Sequence, residues 1–275
     1  MNLPNDRVKF SDSAFDRIGF FMYQSTGIRL QSSDKKMVYT RLLRRLRELS
    51  INTVDDYVDY LELNLEKEHA ALIGLLTTHK SYFFRESQQF DLMEKELIPK
   101  LLKAHPHRQE WLIWSCACSK GQEPYSIAMI LDHMDGFPLS LTKILATDVD
   151  SELLEHAQVG VYSEEEVREL PQEYRDKYIR QSRFEQYFVD ASVKKLVRFK
   201  PLNIVSPWPM KKLFSMIFCR NLLIYFDVNT QHQIIRRLVG QLEQGGYLFF
   251  GHSEKIDTGR LGIKHVASNV YIKER

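Results

Sequence analysis

Residues 111–133 have the sequence WLIWSCACSKGQEPYSIAMILDH, and this stretch decides the fold class. It opens with a short apolar run of strand length, and the segment Pro124 to His133 is predicted to be a helix with proline in its first turn. A short loop containing Gly121 separates the two. A strand, a tight turn and a helix in this order are typical of a parallel sheet with helical crossovers.

The same alternation continues toward the carboxyl end of the chain. It predicts strands at Ile144–Thr147, Leu213–Cys219 and Gly246–Gly251, helices at Glu152–Gln158 and Thr230–Leu242, and a final strand pairing within His265–Lys273. Residues of about 160–200 interrupt the pattern and are predicted to be an insertion of one or two helices and a small strand cluster, including Lys195–Phe199. The fold class is therefore α/β and doubly wound, and ligands of such sheets bind at the carboxyl ends of the strands.

Residues 1–78 are predicted to form a separate helical domain. Apolar residues recur at helical spacing within Met37–Leu49, at Val38, Leu42, Leu46 and Leu49. A second helix is predicted to begin after Thr53 as its N-cap, with Tyr57, Leu61 and Leu65 as its apolar face, and a third to lie around Glu68–Leu76.

Charge and composition exclude several classes of protein. The 275 residues include 38 basic and 36 acidic side chains, so the net charge of +2 gives no bulk reason to expect nucleic acid or an anionic membrane as a partner. No apolar run approaches the roughly 18 residues of a membrane span, and the first residues lack the apolar core of a signal peptide. Cys116, Cys118 and Cys219 are too few for a disulfide framework, and Cys116-Ala-Cys118 lacks further ligands for a metal. We therefore expect a cytoplasmic protein without a metal site.

Three loops at predicted strand ends carry polar groups. They are the loop around Gly121, the acid Asp148, and the pair Arg220 and Asn221. A helix N-terminus after Gly121 favours negative charge, and an acid at the position of Asp148 suits ribose hydroxyls. On spacing alone, however, Gly121 as a turn, Asp148 as a helix cap and Arg220 as a surface charge are equally open.

Longer stretches of the sequence resemble a known family. Residues 114–126, 146–150, 218–226 and 245–254 are similar to the chemotaxis receptor glutamate methyltransferases, the CheR family. The run from Thr77 to Glu86 resembles that family's linker signature, and the basic segment Lys35–Arg47 resembles its N-terminal domain. The resemblance covers nearly the whole chain in one order.

The resemblance implies a class I, Rossmann-like methyltransferase sheet over residues 79–275, with an inserted β subdomain and an N-terminal receptor-docking domain over residues 1–78. It implies methyl transfer from S-adenosylmethionine to glutamate carboxylates of chemoreceptors, with S-adenosylhomocysteine as the product. The cofactor-binding residues that it implies are His79, Ser81, Arg85, Glu123, Asp148, Asn203, Ile204, Arg220 and Asn221. It places Arg85 and Tyr225 near the transferred methyl group, as the catalytic residues.

The chemistry of the reaction agrees with this residue set. A glutamate with an ordinary pKa of about 4.3 is already ionised at neutral pH, so no general base is required. The enzyme has chiefly to align the reacting atoms and exclude water. Arg85 is expected to orient the carboxylate and Tyr225 to hold cofactor or substrate, although Tyr225 packed below the site is the alternative.

Three departures from the family pattern are present. The linker has His79-Lys-Ser81 where the family usually has Asn-x-Thr, which makes His79 the least secure site residue. The family's Gly-Glu-Glu is Gly121-Gln-Glu123 here, which retains the second acid. No glycine occurs between Gly160 and Gly240, whereas family members that bind a receptor's C-terminal pentapeptide carry a glycine-bearing loop there. We therefore expect a member without that tether.

The basic helix has two interpretations. Its basic side chains are Lys35, Lys36, Arg41, Arg44, Arg45 and Arg47. Such a run is usually a solvated face, but methylation helices of chemoreceptors are acidic, so a complementary surface would favour encounter with them. Residues 1–50 hold ten basic and five acidic side chains, and residues 51–75 hold one basic and six acidic ones. The near-neutral total therefore conceals two oppositely charged regions.

Two other functions remain open from the sequence. A nucleic-acid methyltransferase would want a broad basic surface and a site for an extruded base, which the modest charge disfavours. A receptor- or nucleotide-binding adaptor without turnover is the alternative that the His79 departure leaves open. We expect a monomer that binds chemoreceptor helices, not nucleic acid, and that does not insert into a membrane.

Overall fold

The chain divides into two units, Met1–Thr78 and His79–Arg275. The computed structural model describes residues 10–77, 80–254, 256–259 and 261–274. Each unit has a buried apolar core of its own.

The described part of the first unit is helical. Its helices are α1 (Asp12–Thr26), α2 (Lys35–Leu49), α3 (Val54–Leu63) and α4 (Leu65–Leu76). Thr53 is the N-cap of α3 as predicted, because its hydroxyl accepts a hydrogen bond from the Asp56 N–H at 3.0 Å. Of the predicted stripe, Val38, Leu42 and Leu46 are buried in one core with α1 and α3 residues, whereas Leu49 is only partly buried against that core.

The prediction that Leu65 belongs to the apolar face of α3 is wrong. Leu65 belongs to α4 and is 40% exposed. The chain leaves α3 at Asn64, whose side-chain amide donates to the carbonyl of Tyr60 at 2.9 Å and so satisfies a group at the helix end. Leu65 begins the next helix on a different face.

The second unit alternates strands and helices. Its strands are β1 (Trp111–Cys116), β2 (Thr142–Asp148), β3 (Val161–Tyr162), β4 (Ile179–Gln181), β5 (Tyr187–Val189), β6 (Val197–Pro201), β7 (Phe214–Cys219), β8 (Leu242–Phe250), β9 (Ile263–Ala267) and β10 (Val270–Lys273). Its helices are α5 (Ser87–Leu92), α6 (Ile98–Ala104), α7 (Gln122–His133), α8 (Ser151–Val159), α9 (Glu164–Val167), α10 (Gln172–Tyr178), α11 (Ala191–Lys194) and α12 (Val228–Gln241). A π-helical turn, Met93–Leu97, joins α5 to α6.

The main sheet has seven strands in the order β6-β2-β1-β7-β8-β10-β9. The first five are parallel, with Ile113 of β1 opposite Ile144 of β2 and Met216 of β7. The last two form an antiparallel hairpin, so the predicted final pairing is present and the sheet is mixed. Because chain order reverses between β1 and β7, the crevice of this sheet lies at their carboxyl ends.

The insertion contains a separate sheet in the order β3-β5-β4, joined with short helices. Lys195–Phe199 was expected in this cluster, and that prediction is wrong. The strand there is β6, which pairs in parallel with β2 at the edge of the main sheet, Val197 lying opposite Ile144. Val197 is buried beside β2, as is typical of a strand that adds apolar side chains to a parallel sheet.

In the described ranges, no helix has both the length and the apolar character needed to cross a membrane.

Candidate active site

The loop after β1 is held close to the end of β2. Ala117 and Ser119 both have φ of 50° and Gly121 has φ of 88°, so the chain turns sharply three times before α7. A Cβ at Gly121 would lie 2.8 Å from the Cβ of Ala157, so a side chain cannot be accommodated there. The turn therefore brings the N-terminus of α7 against the neighbouring loops.

Asp148 joins these two strand ends. Its carboxylate accepts the Ser119 N–H at 2.7 Å and the Asp150 N–H at 3.0 Å. Asp150, not Asp148, caps α8, since its carboxylate accepts the N–H groups of Glu152 and Leu153. The helix-cap interpretation of Asp148 is therefore wrong, and its buried carboxylate instead ties the loop after β1 to the end of β2.

A buried charge cluster lies where β1 and β7 end. The guanidinium of Arg220, with a side chain only 2% exposed, lies 3.1 Å from the Glu123 carboxylate and 3.2 Å from that of Glu86. It also donates to the carbonyl of Arg85 and lies 5.3 Å from the ring centroid of Phe90. The interpretation of Arg220 as a surface charge is therefore excluded. We call Arg220, Glu86 and Glu123 the carboxylate–guanidinium cluster.

The pKa values of the two carboxyl groups in this cluster are shifted in opposite directions. Burial raises the pKa of Glu123, although Arg220 and the Ser115 hydroxyl, which donates to it at 2.7 Å, act against that rise. Burial also acts to raise the pKa of Glu86, but Arg220, Asn221 and the His252 N–H outweigh it and lower the pKa. One guanidinium thus faces two carboxyl groups, and it compensates the burial of Glu86 but not that of Glu123.

The loop after β7 is fixed by a carboxylate from the loop after β8. Glu254 accepts the N–H groups of Asn221 at 3.0 Å, Leu222 at 2.8 Å, Leu223 at 2.7 Å and Gly251 at 2.6 Å. Burial raises the pKa of this carboxyl, and its four N–H donors act in the opposite direction. Asn221 itself is left-handed, with φ of 57°, and needs this support.

A third loop, after β6, carries Asn203 and Ile204. The carbonyl of Ile204 accepts from the indole N–H of Trp208 at 3.0 Å and from Arg237 of α12 at 3.0 Å. The same guanidinium also donates to the carbonyls of Val205 and Ser206 and stacks 3.9 Å from the Trp208 ring centroid. These contacts fix the backbone beside Asn203.

Comparison with known proteins identifies these features. Residues 79–272 match the family described as CheR methyltransferase, SAM binding domain, and residues 13–77 match CheR methyltransferase, all-alpha domain. The chain belongs to the CheR methyltransferase family. The α/β unit is thus that of an S-adenosylmethionine-dependent methyltransferase, and the predicted fold class, enzyme class and cofactor are confirmed.

Proteins named as chemotaxis methyltransferases are similar along most of the chain. The chemotaxis protein methyltransferase of Escherichia coli (strain K12) is 40% identical over 256 residues, covering 90% of this chain and 86% of that protein. The one of Borreliella burgdorferi is 33% identical over 278 residues, covering 99% and 98%. A probable chemotaxis protein methyltransferase of Rhizobium etli is 36% identical over 259 residues, covering 91% and 94%.

The residues of this CheR family member fit S-adenosylmethionine in charge. The cofactor carries a sulfonium and an amino group, both cations, and the carboxylate–guanidinium cluster presents two carboxylates against one guanidinium. Glu123 lies in the first turn of α7 and Asp148 ends β2, and the N–H of Ser119, in the loop between β1 and α7, donates to Asp148. When bound, the cofactor would supply an activated methyl group, and Glu123 and Asp148 are the acids that would hold its cationic and hydroxyl groups.

The predicted catalytic residues lie outside the carboxylate–guanidinium cluster. The Arg85 guanidinium donates to the carbonyl of Lys80 at 2.7 Å and lies 5.7 Å from the Tyr82 ring centroid, while its own carbonyl faces Arg220. Tyr225 ends a short 3₁₀ turn after β7 and is half-buried. Ser81 is half-buried as well, and His79 lies outside the described residues.

Sequence reasoning did not identify three residues that organise the site. Glu86 and Glu254 each close a stretch that carried the family resemblance, so the resemblance contained a signal for them. Arg237 lies inside an amphipathic helix, where nothing in the spacing distinguishes it from neighbouring basic residues. All three act by holding backbone or side chains from distant segments.

The basic residues of α2 do not form one face. Four of them contact groups outside their own turn of the helix or pair with an acid: Lys35 pairs with Asp12 at 2.6 Å, Arg41 donates to the Thr77 carbonyl at 2.7 Å, Arg45 pairs with Glu68 at 2.5 Å and Arg44 pairs with Glu48 at 2.8 Å. Arg47 donates to the carbonyl of Leu43 one turn back. The exposed basic residues are Lys36, Arg44 and Arg47, and we call them the exposed basic face.

Proposed function

We propose that this CheR family member transfers the methyl group of S-adenosylmethionine to glutamate side chains in the cytoplasmic helices of chemoreceptors, and so forms glutamate methyl esters in the cytoplasm. The observation that carries the proposal is the carboxylate–guanidinium cluster, in which two buried carboxyl groups face one guanidinium, at the crevice of a family member's sheet. Relatives named as chemotaxis protein methyltransferases support the substrate class.

The reaction needs no proton transfer by the protein. A receptor carboxylate is already ionised at neutral pH, a new O–C bond forms as the C–S bond breaks, and the electron pair of that bond stays on sulfur. Glu123 and Asp148 hold the cofactor, and the fixed loop from Arg220 to Leu223 leads into the turn that ends at Tyr225. Arg85 orients the incoming carboxylate, which keeps water from competing for the methyl group.

The exposed basic face is proposed to dock the acidic methylation helices. Lys36 and Arg44 lie eight positions apart on α2, so they share a side of the helix. The side chain of Arg44 is 81% exposed, and its pairing with Glu48 on the same surface leaves it accessible. Electrostatic complementarity of this kind acts mainly on encounter and orientation.

The experiment incubates the protein with tritiated S-adenosylmethionine and membranes that carry chemoreceptors, and then measures methanol released by alkali. Methyl esters release methanol, whereas methylated nucleic acid does not. Binding of S-adenosylhomocysteine, measured by calorimetry, reports on the cofactor site separately. Cofactor binding without any released methanol would contradict the proposed substrate.

The docking surface is tested with the double variant Lys36→Glu/Arg44→Glu. We expect its methylation rate to fall about tenfold or more at low salt, with unchanged affinity for S-adenosylhomocysteine. The matched control is Lys95→Glu/Lys100→Glu, which reverses two exposed lysines of the α/β unit. An equal loss in the control would show that net charge, not this face, sets the rate.

Three finer features are also proposed. The chain is proposed to act as a monomer. It is also proposed not to need a receptor pentapeptide as a tether, since no glycine lies between Gly160 and Gly240; a tight complex with such a peptide would overturn this. It does not use nucleic acid as a substrate. The substitution His79→Asn is expected to strengthen cofactor binding, and unchanged or weaker binding by calorimetry would contradict this prediction.

A further inference from the structure

Glu86 lies at a strained turn directly after Arg85. Its φ is 60°, and Phe84, on the other side of Arg85, has φ of 54°. Left-handed backbone is unfavourable for residues other than glycine, so such a turn persists only where surrounding contacts determine it. The side chain of Glu86 is only 10% exposed, which places its carboxylate among those contacts.

One carboxylate joins three segments of the chain. Oε2 of Glu86 lies 3.2 Å from Nη2 of Arg220, and Oε1 accepts from Nδ2 of Asn221 at 3.2 Å and from the His252 N–H at 3.3 Å. Arg220 and Asn221 follow β7, and His252 follows β8. Glu86 therefore attaches the turn that begins α5 to the ends of two parallel strands.

The backbone on both sides of Arg85 is held as well. Nη2 of Arg220 donates to the Arg85 carbonyl, and the hydroxyl of Ser126 in α7 accepts the Phe84 N–H at 3.0 Å. The Arg220 guanidinium that faces Glu86 is thus the same group that holds Arg85. Removing the charge of Glu86 deletes the ion pair that holds Arg220 beside the Arg85 turn, and so weakens one attachment of that turn.

We propose that Glu86 is a positioning residue for methyl transfer, which fixes the turn that carries Arg85 against the ends of β7 and β8. The proposal rests on the proposed function, in which Arg85 orients the receptor carboxylate. Glu86 forms no direct hydrogen bond to Glu123 or Asp148 but shares Arg220 with Glu123, so its removal should lower cofactor affinity as well, by less than it lowers kcat.

The test is the substitution Glu86→Gln in the full chain. Glutamine keeps the size and can still accept from Asn221 and His252, but it no longer pairs with the guanidinium. We expect kcat for receptor methylation to fall by about tenfold to hundredfold, the scale of a displaced orienting group. Affinity for S-adenosylhomocysteine should change by less than about threefold, since the β1 and β2 loops keep their contacts. The control Glu96→Gln removes an exposed carboxylate that pairs only with Lys100, and should leave kcat unchanged.

A double-mutant cycle separates positioning from a general structural effect. If Glu86 acts through Arg85, then Glu86→Gln should change kcat by less than about twofold in an Arg85→Gln background. An equal loss of kcat in both backgrounds would overturn the proposal, and so would a loss of cofactor affinity as large as the loss of kcat. Thermal unfolding of each variant confirms that assays are run on folded protein.

The outcome for the parent protein distinguishes the two proposals. An active parent with unchanged kcat in Glu86→Gln contradicts only the role of Glu86. A parent that binds S-adenosylhomocysteine but forms no alkali-labile ester contradicts the proposed function and, with it, the positioning role.

Discussion

Arg45 in the helical unit and Arg220 in the α/β unit each lie between two carboxylates. Arg45 pairs with buried Glu68 at 2.5 Å and with exposed Glu48 at 3.0 Å, and Arg44 also pairs with Glu48. Two guanidiniums thus balance two carboxylates there. Among the residues that the structure describes, Arg220 is the guanidinium that pairs with both Glu86 and Glu123, and the His252 ring has its Nε2 3.8 Å from Glu86.

In the helical unit two guanidiniums pair with two carboxylates, whereas in the α/β unit two carboxyl groups share one guanidinium. In the helical unit, Glu68 also accepts from the Tyr57 hydroxyl at 3.3 Å, so its lone pairs are used within the unit. In the α/β unit the second carboxyl group lies at the crevice where we propose that the cationic cofactor binds. Similar residues therefore stabilise the fold in the helical unit and are proposed to bind a ligand in the α/β unit. Three experiments test this contrast.

The largest effect is expected from Arg220→Met. The substitution leaves two largely buried carboxylates without their cation, which costs about 3–5 kcal/mol of unfolding free energy when a buried pair is broken. It should also abolish measurable binding of S-adenosylhomocysteine. Urea unfolding and calorimetry measure the two effects, and a variant as stable as the parent would show that the cluster is not tightly coupled.

A smaller effect is expected from Arg45→Met, compared with Arg44→Met on the same helix. Arg45→Met leaves Glu68 with the Tyr57 hydroxyl alone, which should cost about 2 kcal/mol, whereas exposed Arg44 should contribute less than about 0.5 kcal/mol. Affinity for S-adenosylhomocysteine should be unchanged in both. Equal unfolding midpoints for the two variants would remove the distinction between a buried and an exposed arginine.

The smallest effect is expected in the pH dependence of stability, to which Glu86 and Glu123 should contribute with opposite signs. The folded-state pKa of Glu86 is lowered, so its stabilisation is complete above the ordinary glutamate pKa and is lost as pH falls through the folded value. The folded-state pKa of Glu123 is raised, so its contribution to stability increases as pH falls through that value. The unfolding free energy of each variant, Glu86→Gln or Glu123→Gln, is measured between pH 7 and pH 3 and subtracted from that of the parent protein. Plotted against pH, the two differences should have slopes of opposite sign. Slopes of the same sign would contradict the assignment.

The elements of the fold were predictable where burial imposes a period. Val38, Leu42 and Leu46 recur at helical spacing because one side of α2 faces a core, and Trp111–Cys116 is apolar because it is a central strand. The edge strand β6 was assigned to the wrong sheet, since a short strand is compatible with either sheet and only its partner decides. The Leu65 error has a similar origin, because an apolar residue beside a helix end fits the periodicity of both helices.

The site was predictable where residues follow strand ends, and less so where it depends on distant partners. Asp148 and Arg220 were found because they follow strands that the pattern identifies. Arg44 and Arg45 are adjacent and chemically identical, and only the position of Glu68, 23 residues away, separates their roles. Glu86 and Asn221 are 135 residues apart, a distance at which spacing carries no information about contact.

The contacts of Glu254 have a consequence for exchanging parts between relatives. Its carboxylate binds the backbone of both 221–223 and Gly251, and a Cβ at Gly251 would lie 2.9 Å from the Asn221 nitrogen. A chimera that replaces only one of these loops would therefore combine a carboxylate with amides that it was not shaped to meet. Residues 220–223 and 251–254 form a single module, and a graft of this active site should transfer both segments together.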